Sequence, residues 1–307
     1  MIQMIGNLPY QLDPLVAVAL ILGVAIAVAL IGQWLTDRLF SREERCAHND
    51  LLGPAAGIAG VINAVLLAFI VFAAWTYYDR ARDVVSQEVA LVTDIWRDAE
   101  AVSKGNDSMV HNSIVPELQG YLSTVVETEW PYMKVFMPTE AQRRPEFRVG
   151  WRALRDAYDL ALQQETGPPL RKTVAEEMVK RFNALFDARR QRIAYSTDGA
   201  LNTTVWGVVL AGGLVSIACC WLFGFKSRKL HAASTALVAA SFGLVFFLII
   251  ALQWPFRGGT QISADPYCAV VRRIFRQEID EARERQAAKT PMAWPVHCPP
   301  DSTSQRE

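Results

Sequence analysis

The sequence carries no surplus of either charge. Its 31 Lys and Arg stand against 31 Asp and Glu, which leaves no electrostatic ground for nucleic acid or an acidic substrate as an obligate partner. It also contains no HExxH, nucleophile elbow, phosphate loop or dinucleotide fingerprint. Its glycine-rich stretches fall inside apolar runs, so no enzyme chemistry, no cofactor and no metal site is expected. The five cysteines have no metal-site spacing. Cys219 and Cys220, adjacent within an apolar run, read as apolar filling, and Cys46 lies in a short loop. Cys268 and Cys298 would bridge if the tail faces an oxidising compartment. No alternating strand pattern of useful length occurs, so the fold class is all-α.

Charge is also missing locally. Pro14 to Thr36, Leu51 to Tyr78, Gly199 to Phe225 and Leu230 to Phe256 contain no Asp, Glu, Lys or Arg. A bilayer's hydrocarbon core takes roughly 20 apolar residues as a helix, and buried helices of soluble proteins are seldom uncharged for so long. Four transmembrane helices are therefore predicted, at about 14–36, 53–78, 201–225 and 232–254. The first is expected to stay in the bilayer, because Met1 to Asp13 has no Lys or Arg and the apolar run is too long for a signal peptide. The chain divides into a first hairpin (1–78), a polar insert (79–198), a second hairpin (199–256) and a polar tail (257–307).

The insert has helical periodicity throughout. Val85, Val89, Val92, Trp96 and Ala99 recur at steps of four and three, so the second span is expected to run on as a rod to about Val102, broken at Lys104, Gly105 and Asn106. A second helix carries Ile114, Leu118, Tyr121 or Leu122, and Val125. Pro131 disfavours helical geometry in Trp130, and a turn is predicted there. Two more helices follow, one with Trp151, Leu154, Tyr158 and Leu162, the other with Val174, Met178, Phe182 and Leu185, separated by Gly167 and Pro168. The tail reads as a turn-rich stretch, then a charged helix over about Val270 to Lys289.

The second span offers two faces. At about 100° per residue, Gly53, Gly57, Gly60, Ala64 and Ala68 share a stripe suited to close helix packing in lipid. Asn63 shares another face with Leu67, Ile70, Ala74 and Tyr77. That face would line a pore, with Leu67 or Ile70 as a constriction that gates by dewetting; the alternative is that Asn63 makes an interhelical hydrogen bond. His48, Asn49 and Asp50 precede the span and are candidates for a pore mouth, or for an N-cap at Asn49 or Asp50. Arg189, Arg190 and Arg192 are candidates for binding an anion or lipid headgroups, against solvated charge with a local ion pair.

The short loops carry Arg38, Arg42, Arg45, Lys226, Arg228 and Lys229. The positive-inside rule then puts these loops in the cytoplasm, with the insert and both termini outside it. Arg80, Arg82, Arg189, Arg190 and Arg192 count in the opposite direction.

Taken in order, AHND before the second span, LLAFIVFAAWTYYD at its end, EWP in the insert, DARRQRI before the third span and PFRGGTQISADPY after the fourth make nearly the whole chain similar to the bacterial bestrophin-like membrane proteins, a family defined as a domain of unknown function. The resemblance implies a location in the bacterial cell (inner) membrane, a homo-oligomer in the lipid bilayer, and a relation to bestrophins, which are pentameric anion channels with a narrow apolar neck lined by the second helix. The implied function is an ion channel, possible partners being anions; the alternative is a non-conducting sensor or interaction protein signalling through the insert. Two departures stand out. No acidic cluster of the calcium-binding kind follows the fourth span, and the bestrophin insert is cytosolic.

Overall fold

The computed structural model describes residues 12–103, 108–135, 145–166 and 169–284. The predicted break at Lys104 to Asn106, the stop at Gly167 and Pro168, and Cys298 fall outside them. Ten α-helices occur among the described residues, and no strand: α1 (Pro14–Leu39), α2 (Arg42–Ala47), α3 (Asn49–Ser103), α4 (Ser108–Thr124), α5 (Trp130–Val135), α6 (Pro145–Leu162), α7 (Pro169–Thr197), α8 (Thr203–Leu222), α9 (Arg228–Gln253) and α10 (Asp265–Glu284). They divide into a membrane unit, Met1–Asp79 with Gly199–Gln261, and an insert unit, Arg80–Asp198 with Ile262 onward. Of the tail, residues 262–284 thus group with the insert, and 257–261 stay with the membrane unit. The helix α3 is uninterrupted through Asp79.

In the membrane unit α1, α3, α8 and α9 are each long and apolar enough to cross a bilayer. Their ends are set locally: Asp13, Asn202 and Ser227 accept hydrogen bonds from Leu15, Val205 and Leu230, satisfying amides that the first helical turn leaves free. The helix α9 packs chiefly on α1 and less on its sequence neighbour α8. Gly243 lies at this contact, facing Ala25 and the Leu22 backbone of α1. The Trp221 indole of α8 donates to the Ala29 carbonyl of α1 at 2.8 Å. His231, buried at the start of α9, contacts the Cys220 carbonyl at 2.9 Å, so a carbonyl in the last turn of α8 has a partner.

In the insert unit α4 packs along α6, and α6 on α7. The core is the predicted seam, with Val89 only half-buried and neighbours added: Val85, Val92, Ile95 and Ala99 of α3, Leu118 and Tyr121 of α4, and Met178, Phe182 and Leu185 of α7 are all buried. The predicted turn at Pro131 does not occur. Val125–Glu129 forms a π-helical turn instead, Trp130 is helical (φ −61°, ψ −46°), and its N–H reaches back to the Val125 carbonyl. Pro131 follows directly in α5, so it lies inside a helical run that continues from Ser108 to Val135, with the π turn immediately before α5.

Candidate functional site

The face of the second span expected to line a pore is turned onto the protein's own third span. Asn63 is 7% exposed and Leu67 6%, Ala74 is fully buried, and Ile70 and Tyr77 are half-buried. The Asn63 amide donates to Ser216 Oγ at 3.0 Å, and Ser216 donates to the Gly212 carbonyl at 3.0 Å. Gly212 leaves the space, because a Cβ there would run into Asn63. An amide in an apolar medium is costly without a partner, so Asn63 bonds between helices, and Leu67 packs with Val209 and Ile249 beside it.

Among the described residues the small-residue stripe is left open rather than packed on another helix of this chain. Gly53, Gly57 and Gly60 have nothing within 4 Å of an added Cβ, and Ala64 and Ala68 are exposed. Beside this stripe the bulky residues also face outward: Ile58 is 65% exposed, Ile62 57%, Val65 50%, Phe69 69% and Phe72 68%.

At the start of the span, Asn49 does not cap the helix through its side chain. Its amide donates to the Gly224 carbonyl and its oxygen accepts from the Gly224 N–H, both at 2.9 Å, tying the two short loops together. Arg45 adds a second tie, pairing with Asp37 and donating to the Trp221 carbonyl at 2.9 Å. His48 and Asp50 are exposed.

The three candidate arginines separate. Arg190 is exposed and pairs with Asp187. Arg189 and Arg192 are fully buried, as are Glu88 and Glu129. Arg192 donates to Glu88 at 2.8 Å and to Glu129 at 2.7 Å, while Arg189 pairs with the other Glu129 oxygen and donates to the Phe147 carbonyl at 3.0 Å. The Tyr121 hydroxyl donates to Glu88. The two Arg and two Glu bury no net charge, without which the desolvation penalty would be prohibitive. Among the described residues Arg189 Nε and Nη1 have no hydrogen-bond acceptor, and the guanidinium lies 4.5 Å from the Trp151 ring centroid and 5.5 Å from that of Tyr121, where ring faces attract a cation.

The titration behaviour follows from this setting. Burial, and then the Glu88 charge, push the Tyr121 and Tyr267 hydroxyls well above the ordinary tyrosine range. Burial alone would lower the affinity of Arg192 for its proton, but the carboxylate of Glu88, joined by Tyr267 and Glu129, holds its pKa well above the ordinary value. The π turn brings Glu129 inward and leaves Glu127 exposed. A methyl at Gly150 would press on both Glu129 and Arg189. Arg189 and Arg192 are thus taken up by internal carboxylates rather than presented to an anion or a headgroup.

The sequence profile of the Bestrophin-like domain matches residues 23–267. The chain belongs to the Bestrophin-like family. Solved structures agree: a crystal structure of a mutant bacterial Bestrophin homolog from Klebsiella pneumoniae aligns with 84% of this chain and 99% of its own, at 14% identity and a TM-score of 0.61. Another structure of a Klebsiella pneumoniae homolog covers 85% and 97%, at 14% identity and a TM-score of 0.58. A mutant described only as a membrane protein covers 83% and 98%, at 16% identity and a TM-score of 0.59. At such identities the likeness establishes the fold. No curated protein matches the sequence significantly. This Bestrophin-like protein is a multi-pass membrane protein, and Glu88 and Tyr267 are the polar residues around the buried cluster that reading the sequence did not single out.

Proposed function

We propose that this Bestrophin-like protein is an oligomeric ion channel whose pore is lined by the outward face of the second span, with the anion preference resting on kinship to bestrophins. The observation that carries this reading is the bulky apolar row Ile58, Ile62, Val65, Phe69 and Phe72, half or more exposed although no polar side chain interrupts it. Around a symmetry axis such a row forms an apolar constriction that gates by dewetting. Gly57, Ala64 and Ala68 lie next to it and suit close approach of a neighbouring copy. In this reading the pore face is rotated away from Asn63, whose amide is engaged with Ser216.

Chloride flux from proteoliposomes tests it. Phe69→Ala and Phe72→Ala should raise flux, and Asn63→Ala should leave it unchanged in whatever fraction still folds. Flux no greater than that of empty liposomes for the wild type and both Phe variants would count against conduction.

A non-conducting sensor is the second reading, favoured by the unbroken helix Asn49–Ser103, which belongs to both units. It predicts no flux, together with a change in spin-label spectra on the Phe72 side of α3 when a ligand binds the insert.

A further inference from the structure

Between α6 and α7 the insert unit contains a cleft of about 510 Å³ that none of the ion pairs of the buried cluster occupies. Its floor is aromatic. The Trp151 and Phe186 rings stack at 5.8 Å and 17°, and Tyr158 meets Phe186 edge-on at 5.8 Å. All three rings are only half-buried. The buried Arg189 guanidinium also holds the Trp151 ring, so the floor is braced by the charge cluster rather than free to collapse.

The rim is charged but unevenly paired. Asp187 and Arg190 neutralise each other. Arg155 and Asp159 are exposed on successive turns of α6 and form no ion pair or hydrogen bond among the described residues, and neither does Asn183 across the cleft. Arg preceding Asp by four residues is the poorer order for a helical pair, in keeping with the two charges standing apart. The cleft therefore offers the open sides of a braced aromatic stack, one free cation, one free anion and one free amide.

We propose that this cleft binds a small zwitterion with a planar aromatic body, of the aromatic amino acid class. The ring packs against the exposed sides of the Trp151 and Phe186 stack and of Tyr158, the ammonium faces Asp159 and the carboxylate faces Arg155. A ligand with a single charge would satisfy one rim residue and meet the other with like sign. The volume is within the range of small-molecule sites, roughly 300–1,000 Å³. The site is separate from the proposed pore and does not depend on conduction.

Calorimetry on the full-length protein in detergent tests this with four probes sharing one ring: L-tryptophan, tryptamine, indole-3-acetate and indole. L-tryptophan should bind saturably, with the singly charged probes about tenfold weaker. Asp159→Asn should erase the advantage over indole-3-acetate, and Arg155→Gln the advantage over tryptamine. Asn183→Trp, at an exposed position, should fill the cleft and abolish binding while the thermal transition stays in place. The proposal is overturned by no saturable binding, by equal affinity for all four probes, or by binding that survives Asn183→Trp. It is also overturned if Asn183→Cys cross-links spontaneously between copies, since the cleft is then covered by a second subunit.

Discussion

Glu88 is the most informative residue to remove from the buried cluster, because its replacement changes charge with almost no change in shape. Glu88→Gln leaves two guanidinium groups facing one carboxylate, all with no solvent exposure. Taking one partner from a buried ion pair costs about 3–5 kcal/mol. The amide oxygen can still accept from Tyr121, and a retained hydrogen bond offsets about 1 kcal/mol. The expected loss is therefore about 2–4 kcal/mol. Pairing Glu88→Leu with Arg192→Met restores neutrality, since Glu129 and Arg189 remain together. Apolar replacement of a buried pair is often neutral or better, so the double variant should be within about 1–2 kcal/mol of the wild type. Asp94→Asn supplies the control: its pair with Arg97 is substantially exposed, and its loss should cost under about 1 kcal/mol. Denaturant unfolding in mild detergent, followed by tryptophan fluorescence, reads all of these, with Trp130 and Trp151 set beside the cluster. A Glu88→Gln loss no greater than the control, or a double variant less stable than the sum of its singles, would refute a charge-balanced cluster.

Three further outcomes are expected. A Cβ at Gly150 would lie 2.6 Å from Glu129 and 2.7 Å from Arg189, so Gly150→Ala should cost about 1–3 kcal/mol in the same unfolding assay, whereas Gly120→Ala, with open space around it, should be neutral or stabilising by up to about 1 kcal/mol. Tyr121 and Tyr267 titrate well above 10.0 in the fold, through burial first and the Glu88 charge second. The unfolded chain gives up those protons near pH 10 while the folded chain keeps them, so their contribution is intact below pH 10 and is lost as pH rises towards the raised native values. An ultraviolet titration of the folded protein should then miss at least these two of the eight tyrosines, and ionisation of all eight before unfolding would contradict it. Asn183→Cys in a background without native cysteines should react with an impermeant maleimide on intact cells; reaction only after lysis reverses the proposed orientation and removes the ground for a bridge between Cys268 and Cys298.

How much was legible depends on the solvent each helix meets. The four spans could be read because an uncharged window of that length is rarely anything but a span. The faces of the second span could not, because in lipid an inward and an outward face are equally apolar, and hydrophobic periodicity carries no sign. Asn63 was the one mark available, and assigning it to water in a pore competed with assigning it to a helix. The structure gives it Ser216 and the space at Gly212, the outcome expected wherever an amide can find a partner without displacing lipid with water. In the insert water does distinguish the faces, and there the spacing of the charged residues carries a signal. Glu88 lies three residues after Val85 and four before Val92, on the buried seam itself. Arg189 and Arg192 stand four and seven residues after Leu185, again on the buried side of their helix, while Arg190 falls outside it. A charged residue at seam spacing must either break the seam or meet its opposite inside the core. Two acids and two bases were available for that, but only the three-dimensional structure pairs them, because Glu129 comes inward through a π turn that no helical periodicity anticipates.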